Sequence, residues 1–360
     1  MVIKVYQKYI IKEFLSILLK ITFIFFALGF IMGVLEELNF FSEYKVGYYF
    51  PILLVLLNIP SLLYEIAPFI FLLSSQFLFI KLMDKEELIT FKNHGLNNSK
   101  ILSLLTSTSL IIGFLIVIIF YNFSAVLKFK YLDIKKNYTK DNKYLATITE
   151  NGLWIKDELS EKILFINAKK FDYNNLIDVD IIQLDKNFNF EKSIQSKKID
   201  IKNNLWIIYD PIILDDKNKT ESKKKLEFQT NFNSEKINNL FSNLSTLTLW
   251  NILELKKNYK TINYSTTEID YHLQRIISYP FLITIMSLLS AILMLNIKFQ
   301  SPKLFLIITA ILASVCIYYI NYFFGTMGKN EKLPLLVSIW IPILILTLIS
   351  FFGMVRINEK

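Results

Sequence analysis

The stretch Ile101-Leu-Ser-Leu-Leu-Thr-Ser-Thr-Ser-Leu-Ile-Ile-Gly-Phe-Leu-Ile-Val-Ile-Ile-Phe-Tyr-Asn-Phe123 contains no charged residue. A helix of about 20 such residues is what a bilayer crossing requires, because hydrocarbon offers no partner to an unpaired backbone N–H or C=O. Residues 14–35 form a similar run interrupted only by Lys20, which lies near one end and can snorkel. Three more runs, 276–297, 304–324 and 335–355, follow a long polar stretch. Residues 48–80 are also apolar, but they carry Asn58, Pro60, Glu65, Pro68 and Gln76. Two crossings there would leave nothing for a turn. The run therefore predicts one crossing, broken or kinked around Pro60, Glu65 and Pro68 and preceded by a partly immersed segment. Glu65, the single acid deep in that run, is expected to cap the broken helix, and Pro280 to kink or start the fourth crossing. The sum is six crossings, grouped three and three.

Composition supports a membrane part joined to a polar part. Of 360 residues 53% are hydrophobic and only 20% charged, too few charges to cover a soluble globule. Yet 40 basic and 31 acidic residues are too many for spanning helices alone. The net charge of +9 comes almost wholly from Lys, with Arg only at Arg275 and Arg356, and is no sign of a nucleic-acid partner. The single cysteine, Cys316, lies in an apolar run and cannot form an intrachain disulfide, and His94 and His272 are too few for a histidine-cluster metal site. No glycine opens a phosphate-binding loop, and no H-E-x-x-H, nucleophile elbow or Cys–His pairing occurs. The expectation is a protein that is not an enzyme and does not itself bind ATP. The acidic pairs Glu36-Glu37 and Glu86-Glu87 fall at membrane boundaries, where solvated charge is the plain explanation.

Basic residues in the short loops set the orientation. Eleven, among them Lys12, Lys81, Lys92, Lys100 and Arg356, flank one side; only Lys45, Lys329 and Lys332 flank the other. Both termini and the second loop are thus predicted to be cytoplasmic, with the long polar stretch outside. Residues 1–13 are too polar for a signal-peptide core and predict an interfacial helix leading into the first crossing. From about 143 to 228 the pattern changes to short runs of period two, at 152–156, 162–167, 179–184, 205–209 and 226–228, separated by Asn, Asp and Lys turns. These predict a β-sandwich or incomplete barrel with Trp154 and Trp206 in its core, substrate stacking being their alternative role. Residues 244–259 predict a short helix. The resulting division is 1–125, 126–265 and 266–360.

The second loop, Lys81-Leu-Met-Asp-Lys-Glu-Glu-Leu-Ile-Thr-Phe-Lys-Asn-His-Gly95, predicts an amphipathic helix at about 84–95, ended by Gly95 as a left-handed cap. It is either a connector with a solvated face or a partner-docking helix. The spacing of Glu87, Leu88 and Gly95 resembles the coupling helix of the LptF/LptG (YjgP/YjgQ) lipopolysaccharide export permeases, whose architecture the whole chain resembles. Gly152-Leu-Trp-Ile-Lys-Asp157 is similar to a stretch opening the LptG β-domain, and Gly325-Thr-Met-Gly-Lys-Asn-Glu-Lys-Leu-Pro334 with Trp340 and Pro342 to its last loop.

The resemblance implies a six-helix inner-membrane permease with a periplasmic β-jellyroll-like domain between the third and fourth crossings, most like LptG. It implies an LptB-like cytoplasmic ATPase dimer that supplies ATP and Mg, a paralogous LptF-like permease, LptC-like and LptA-like bridge proteins, and lipopolysaccharide as cargo. Glu86, Glu87, Leu88, Phe91 and Gly95 would form the ATPase-coupling helix. Gly29 and Gly33 form a G-x-x-x-G pair that suits either a lateral gate against the partner permease or packing within the chain. Lys45 and Arg275 are candidates for lipid-phosphate contact or simple interfacial anchors. The alternatives are an LptF-like paralogue, an exporter of another envelope lipid, and a membrane scaffold whose β-domain docks other proteins.

Overall fold

The computed structural model describes residues 4–44, 46–47, 49–136, 138, 153–159, 162–172, 174–185, 188–215, 220–222, 224–234, 237, 243–261, 266–296, 303–330 and 332–358. The chain divides into two compact units, Met1–Tyr131 with Thr267–Lys360, and Leu132–Thr266.

The first unit is helical. Its elements are α1 (Val5–Phe40), α2 (Tyr49–Asp84), the short α3 (Glu87–Asn93) and α4 (Asn98–Leu115). A π-helical turn at Ile116–Tyr121 joins α4 to α5 (Asn122–Lys136), in which the boundary between the units falls. Among the described residues six helical stretches are long and apolar enough to cross a membrane. The chain is a multi-pass helical membrane protein with an inserted β-domain. α1 begins at Val5, so the expected interfacial helix is the first part of the spanning helix and not a separate element.

α2 departs from expectation: it runs as one unbroken helix of 36 residues through Pro60 and Pro68. The chemistry around Pro68 explains how. Proline has no N–H to give the carbonyl four residues earlier, which is that of Tyr64. The Tyr279 hydroxyl donates to that carbonyl instead, a replacement of the kind that lets proline persist in packed membrane helices. Tyr279 lies on the helix that re-enters the first unit, α7 (Thr267–Asn296), and its ring stacks on that of Tyr64 at 4.5 Å. Glu65 caps nothing, since no break exists; it pairs with Lys128 at 3.3 Å. Pro280 does not start α7, which begins at Thr267. Glu37 is not solvated either: it is buried and accepts a hydrogen bond from the Tyr131 hydroxyl at 2.6 Å.

α2 and α7 are the inner helices, each two-thirds buried along its apolar window. Ser287 of α7 knits the centre: its carbonyl accepts from Ser75 of α2, and its hydroxyl meets that of Ser109 of α4 at 3.1 Å. Gly113 of α4 rests on the Pro280 backbone, where an added Cβ would lie 3.0 Å from Cα. The unit closes with α8 (Lys303–Lys329) and α9 (Leu335–Asn358). Gly325 and Gly328 allow α8 to come close to Tyr271 and Ser338, where a side chain would collide. This is the physical reason for glycine at those two positions of the last-loop motif.

Among the described residues the second unit holds an antiparallel sheet of eight strands. They are β1 (Leu153–Leu159), β2 (Lys162–Asp172), β3 (Asn175–Asp185), β4 (Phe190–Asp200), β5 (Leu205–Tyr209), β6 (Ile212–Asp215), β7 (Thr220–Ser222) and β8 (Lys225–Gln229). The hydrogen-bonded path is β1-β2-β3-β4-β5-β8, with β6 and β7 branching from β4. β4 pairs β6 over Lys192–Gln195 and β5 over Lys198–Asp200. Alternate residues fill one core, Leu164, Ile166 and Ala168, then Val179 and Ile181, and β4 adds Ile194 and Ile199 out of strict alternation. At Asp178, φ is +51°, and this irregularity shifts the alternation so that both Leu176 and Val179 face inward. Trp206 is fully buried and its Nε1 donates to the Phe232 carbonyl at 2.8 Å, as its expected core role requires. The side chain of Trp154 and all of Gly152 lie outside the described residues. Asp157, last of that motif, is buried and accepts from the Asn231 backbone and side-chain amides at 2.9 and 2.8 Å. Its role is to pin the chain after β8 to β1. A 3-10 turn (Leu244–Thr246) and α6 (Leu249–Thr261) complete the unit.

Candidate functional site

α3 sits at the end of the helical unit where α1 starts and α2 stops. It is seven residues long, shorter than the 84–95 expected, because Asp84 still belongs to α2 and Glu86 takes a left-handed φ of +57°. That residue turns the chain between the two helices. At the other end Gly95 has φ +77°; its N–H bonds the Lys92 carbonyl at 2.9 Å and the Leu96 N–H bonds the Phe91 carbonyl at 3.0 Å. This pair of bonds is the Schellman motif, which satisfies carbonyls that a helix end leaves open. Gly95 thus ends α3 as its sequence position predicts.

Three contacts fix the inward side of α3. Leu88 is buried. The Tyr9 hydroxyl of α1 donates its one proton to the Glu87 carboxylate, lying 2.8 Å from each oxygen, and the carboxylate lies 3.8 Å from the Lys85 ammonium. The Phe91 ring meets the Tyr9 ring edge-on, with centroids 6.4 Å apart. Beside them Lys81 of α2 is ion-paired with Glu13 of α1. Hence α1, α2 and α3 share one polar junction. Tyr9 and Glu13 were not apparent as site residues because their partners lie 78 and 68 residues away.

The outward side is a separate stripe. Glu86, Ile89, Thr90, Asn93 and His94 are all exposed, at the i, i+3, i+4, i+7 and i+8 spacing of one helical face. Ile89 is the large apolar side chain of that stripe, 45% exposed. Of the expected coupling residues, then, only Glu86 points outward; Glu87, Leu88 and Phe91 hold the helix to its base. Ile89 and His94 join the site from geometry; a helix of seven residues is too short for its spacing alone to single them out.

The remaining candidates lie elsewhere. Gly29 and Gly33 face α2 of the same chain, where an added Cβ would lie 3.4 Å from Leu62 and 2.8 Å from Val55. Arg275 is exposed on α7, and Lys45 lies outside the described residues. Trp340 of α9 donates to Gln274 of α7 at 3.2 Å, fixing the last helix beside the start of α7.

Six apolar helices, an inserted antiparallel sheet and a capped surface helix after the second crossing suit a lipid-handling permease. The sequence profile of the lipopolysaccharide export system permease LptF/LptG family matches residues 8–356. The chain belongs to that family. The LptF/LptG profile covers the helices, α3 and the β-domain alike. The permease is also similar to the uncharacterized protein RP871 of Rickettsia prowazekii (strain Madrid E), at 27% identity over 173 residues. That match spans 47% of this chain and 46% of the Rickettsia protein, about half of each.

Proposed function

We propose that the permease is an LptG-like subunit of an ATP-driven pump that lifts lipopolysaccharide out of the bacterial inner membrane. In this reading both termini and α3 lie in the cytoplasm and the β-domain in the periplasm, as the basic residues of the short loops favour. An LptB-like ATPase dimer docks on α3 and hydrolyses ATP with Mg; the permease itself binds neither. An LptF-like paralogue completes the cavity, and the β-domain hands the lipid to LptC-like and LptA-like bridge proteins. The family membership supports the cargo, and the last-loop and Asp157 motifs support the LptG-like assignment.

The observation that carries the reading is the division of α3 into two faces. One is tied to α1 through Glu87 and Tyr9; the other presents Ile89 between Glu86 and His94. A push on such a helix reaches α1 and α2 through the shared junction without passing through a flexible loop. Burying the exposed 45% of Ile89 in a partner would contribute about 1 kcal/mol.

Two substitutions test it. Ile89→Glu should abolish ATPase association and export while leaving α3 docked. Glu87→Arg should abolish both by releasing α3 from Tyr9, with the chain still inserted in the membrane. Normal association in both variants would mean that the ATPase docks elsewhere.

A further inference from the structure

A groove runs between α1 and α2 towards the α3 end. Its walls are Ile17, Ile21 and Ile24 on α1, and Phe77 and Ile80 on α2. Ile21 and Ile80 form its floor, whereas Ile24 and Phe77 are exposed. Lys20, Lys81, Asp84 and Lys85 line its polar end. A shallow apolar patch on the outer face of α1, made of Leu19, Lys20, Phe23 and Ile24, shares Lys20 and Ile24 with the groove.

The charges of this end are unequally satisfied. Lys81 is paired with Glu13, and Lys85 faces Glu87. Lys20 has no ion-pair or hydrogen-bond partner among the described residues. It lies seven positions beyond Glu13 along α1, about 10 Å further into the bundle. An ammonium at that depth is costly unless it reaches the headgroup layer or meets an anion there.

We infer that the groove and the apolar patch flanking Lys20 hold the acyl chains of one anionic phospholipid, with its phosphate on the Lys20 ammonium. One chain covers Ile21, Ile24, Phe77 and Ile80; the other lies against Leu19 and Phe23. Lys81, at the mouth of the groove, adds positive potential although Glu13 holds it. Asp84 repels a second negative group at the rim, so the favoured headgroup carries its charge on the phosphate and hydroxyls beyond it, as phosphatidylglycerol does. The site borders the junction with α3 at Lys81 and Lys85, and it does not depend on the ATPase assignment.

The test titrates phosphatidylglycerol, and separately phosphatidylcholine, into the full-length permease in mild detergent and counts bound lipid by native mass spectrometry. One phosphatidylglycerol should bind in preference to phosphatidylcholine. Loss of one lysine–phosphate contact should weaken it roughly fivefold in Lys20→Met, while Lys20→Arg keeps it. Ile24→Trp should fill the groove and weaken binding with every lysine in place. Equal binding of the two lipids, or unchanged affinity in both Lys20→Met and Ile24→Trp, overturns the inference. So does displacement of the bound lipid by an equal concentration of lipopolysaccharide, which would make the groove part of the cargo path.

Discussion

The hydroxyl of Tyr9 lies 2.8 Å from both carboxylate oxygens of Glu87, joining the first turns of α1 to α3 across 78 residues of sequence. A hydrogen bond to a charged group contributes about 1.5–3 kcal/mol, more than a neutral one. Tyr9→Phe removes it and keeps the ring contact with Phe91. We expect amide exchange in residues 87–93 of the full chain to quicken roughly tenfold or more, and export to fall while the six crossings remain intact. Unchanged exchange would show that Leu88 and Phe91 suffice to hold α3.

Tyr279 and Pro68 form a compensating pair. Tyr279→Phe leaves the Tyr64 carbonyl without its donor, at a cost of about 1–3 kcal/mol. Pro68→Ala supplies the missing N–H from within α2. Thermal stability of the purified chain should therefore fall in Tyr279→Phe and recover in the double variant. Equal stability of Tyr279→Phe with and without Pro68→Ala would contradict the pairing.

Gly113 is where α4 meets the Pro280 backbone, which cannot rotate away as a side chain can. Gly113→Val should separate α4 from α7 and cost about 1–3 kcal/mol through overpacking, read as a lowered melting temperature. Gly95→Ala, placed in open space but at φ +77°, should act only locally, through left-handed strain at the end of α3.

In the β-domain the Phe232 carbonyl accepts from both Trp206 and Thr230. Trp206→Phe thus leaves it satisfied and should cost only about 1–2 kcal/mol, for the core volume lost, whereas Trp206→Ala opens a larger cavity costing about 3–5 kcal/mol. Protease resistance of residues 153–229 in the intact chain distinguishes the two.

The crossings were legible because apolar runs of spanning length allow few alternatives. The continuity of α2 was not, because the donor that rescues Pro68 comes from Tyr279, 215 residues beyond Tyr64. β4 escaped notice for a local reason. Phe190-Glu-Lys-Ser-Ile-Gln-Ser-Lys-Lys-Ile-Asp200 is mostly polar, and Ile194 and Ile199 fall out of strict alternation; the strand is held by neighbours on both sides and not by its own pattern. The position of the surface helix α3 was evident from Glu87 and Gly95. Which of its faces meets the protein was not, because Tyr9 is remote in sequence and a seven-residue helix is too short for its periodicity to decide.

The central claim is that a separate ATPase drives this permease from α3 while the β-domain serves the lipid path. Its most direct test is to purify the tagged full-length chain, and a form lacking residues 143–228, in mild detergent and identify the accompanying molecules. The intact chain should bring a soluble ATPase, a second six-helix permease and lipopolysaccharide. The deletion should keep the ATPase and lose export. Recovery of the intact chain with envelope proteins alone, or export surviving the deletion, would contradict the account and favour a scaffold.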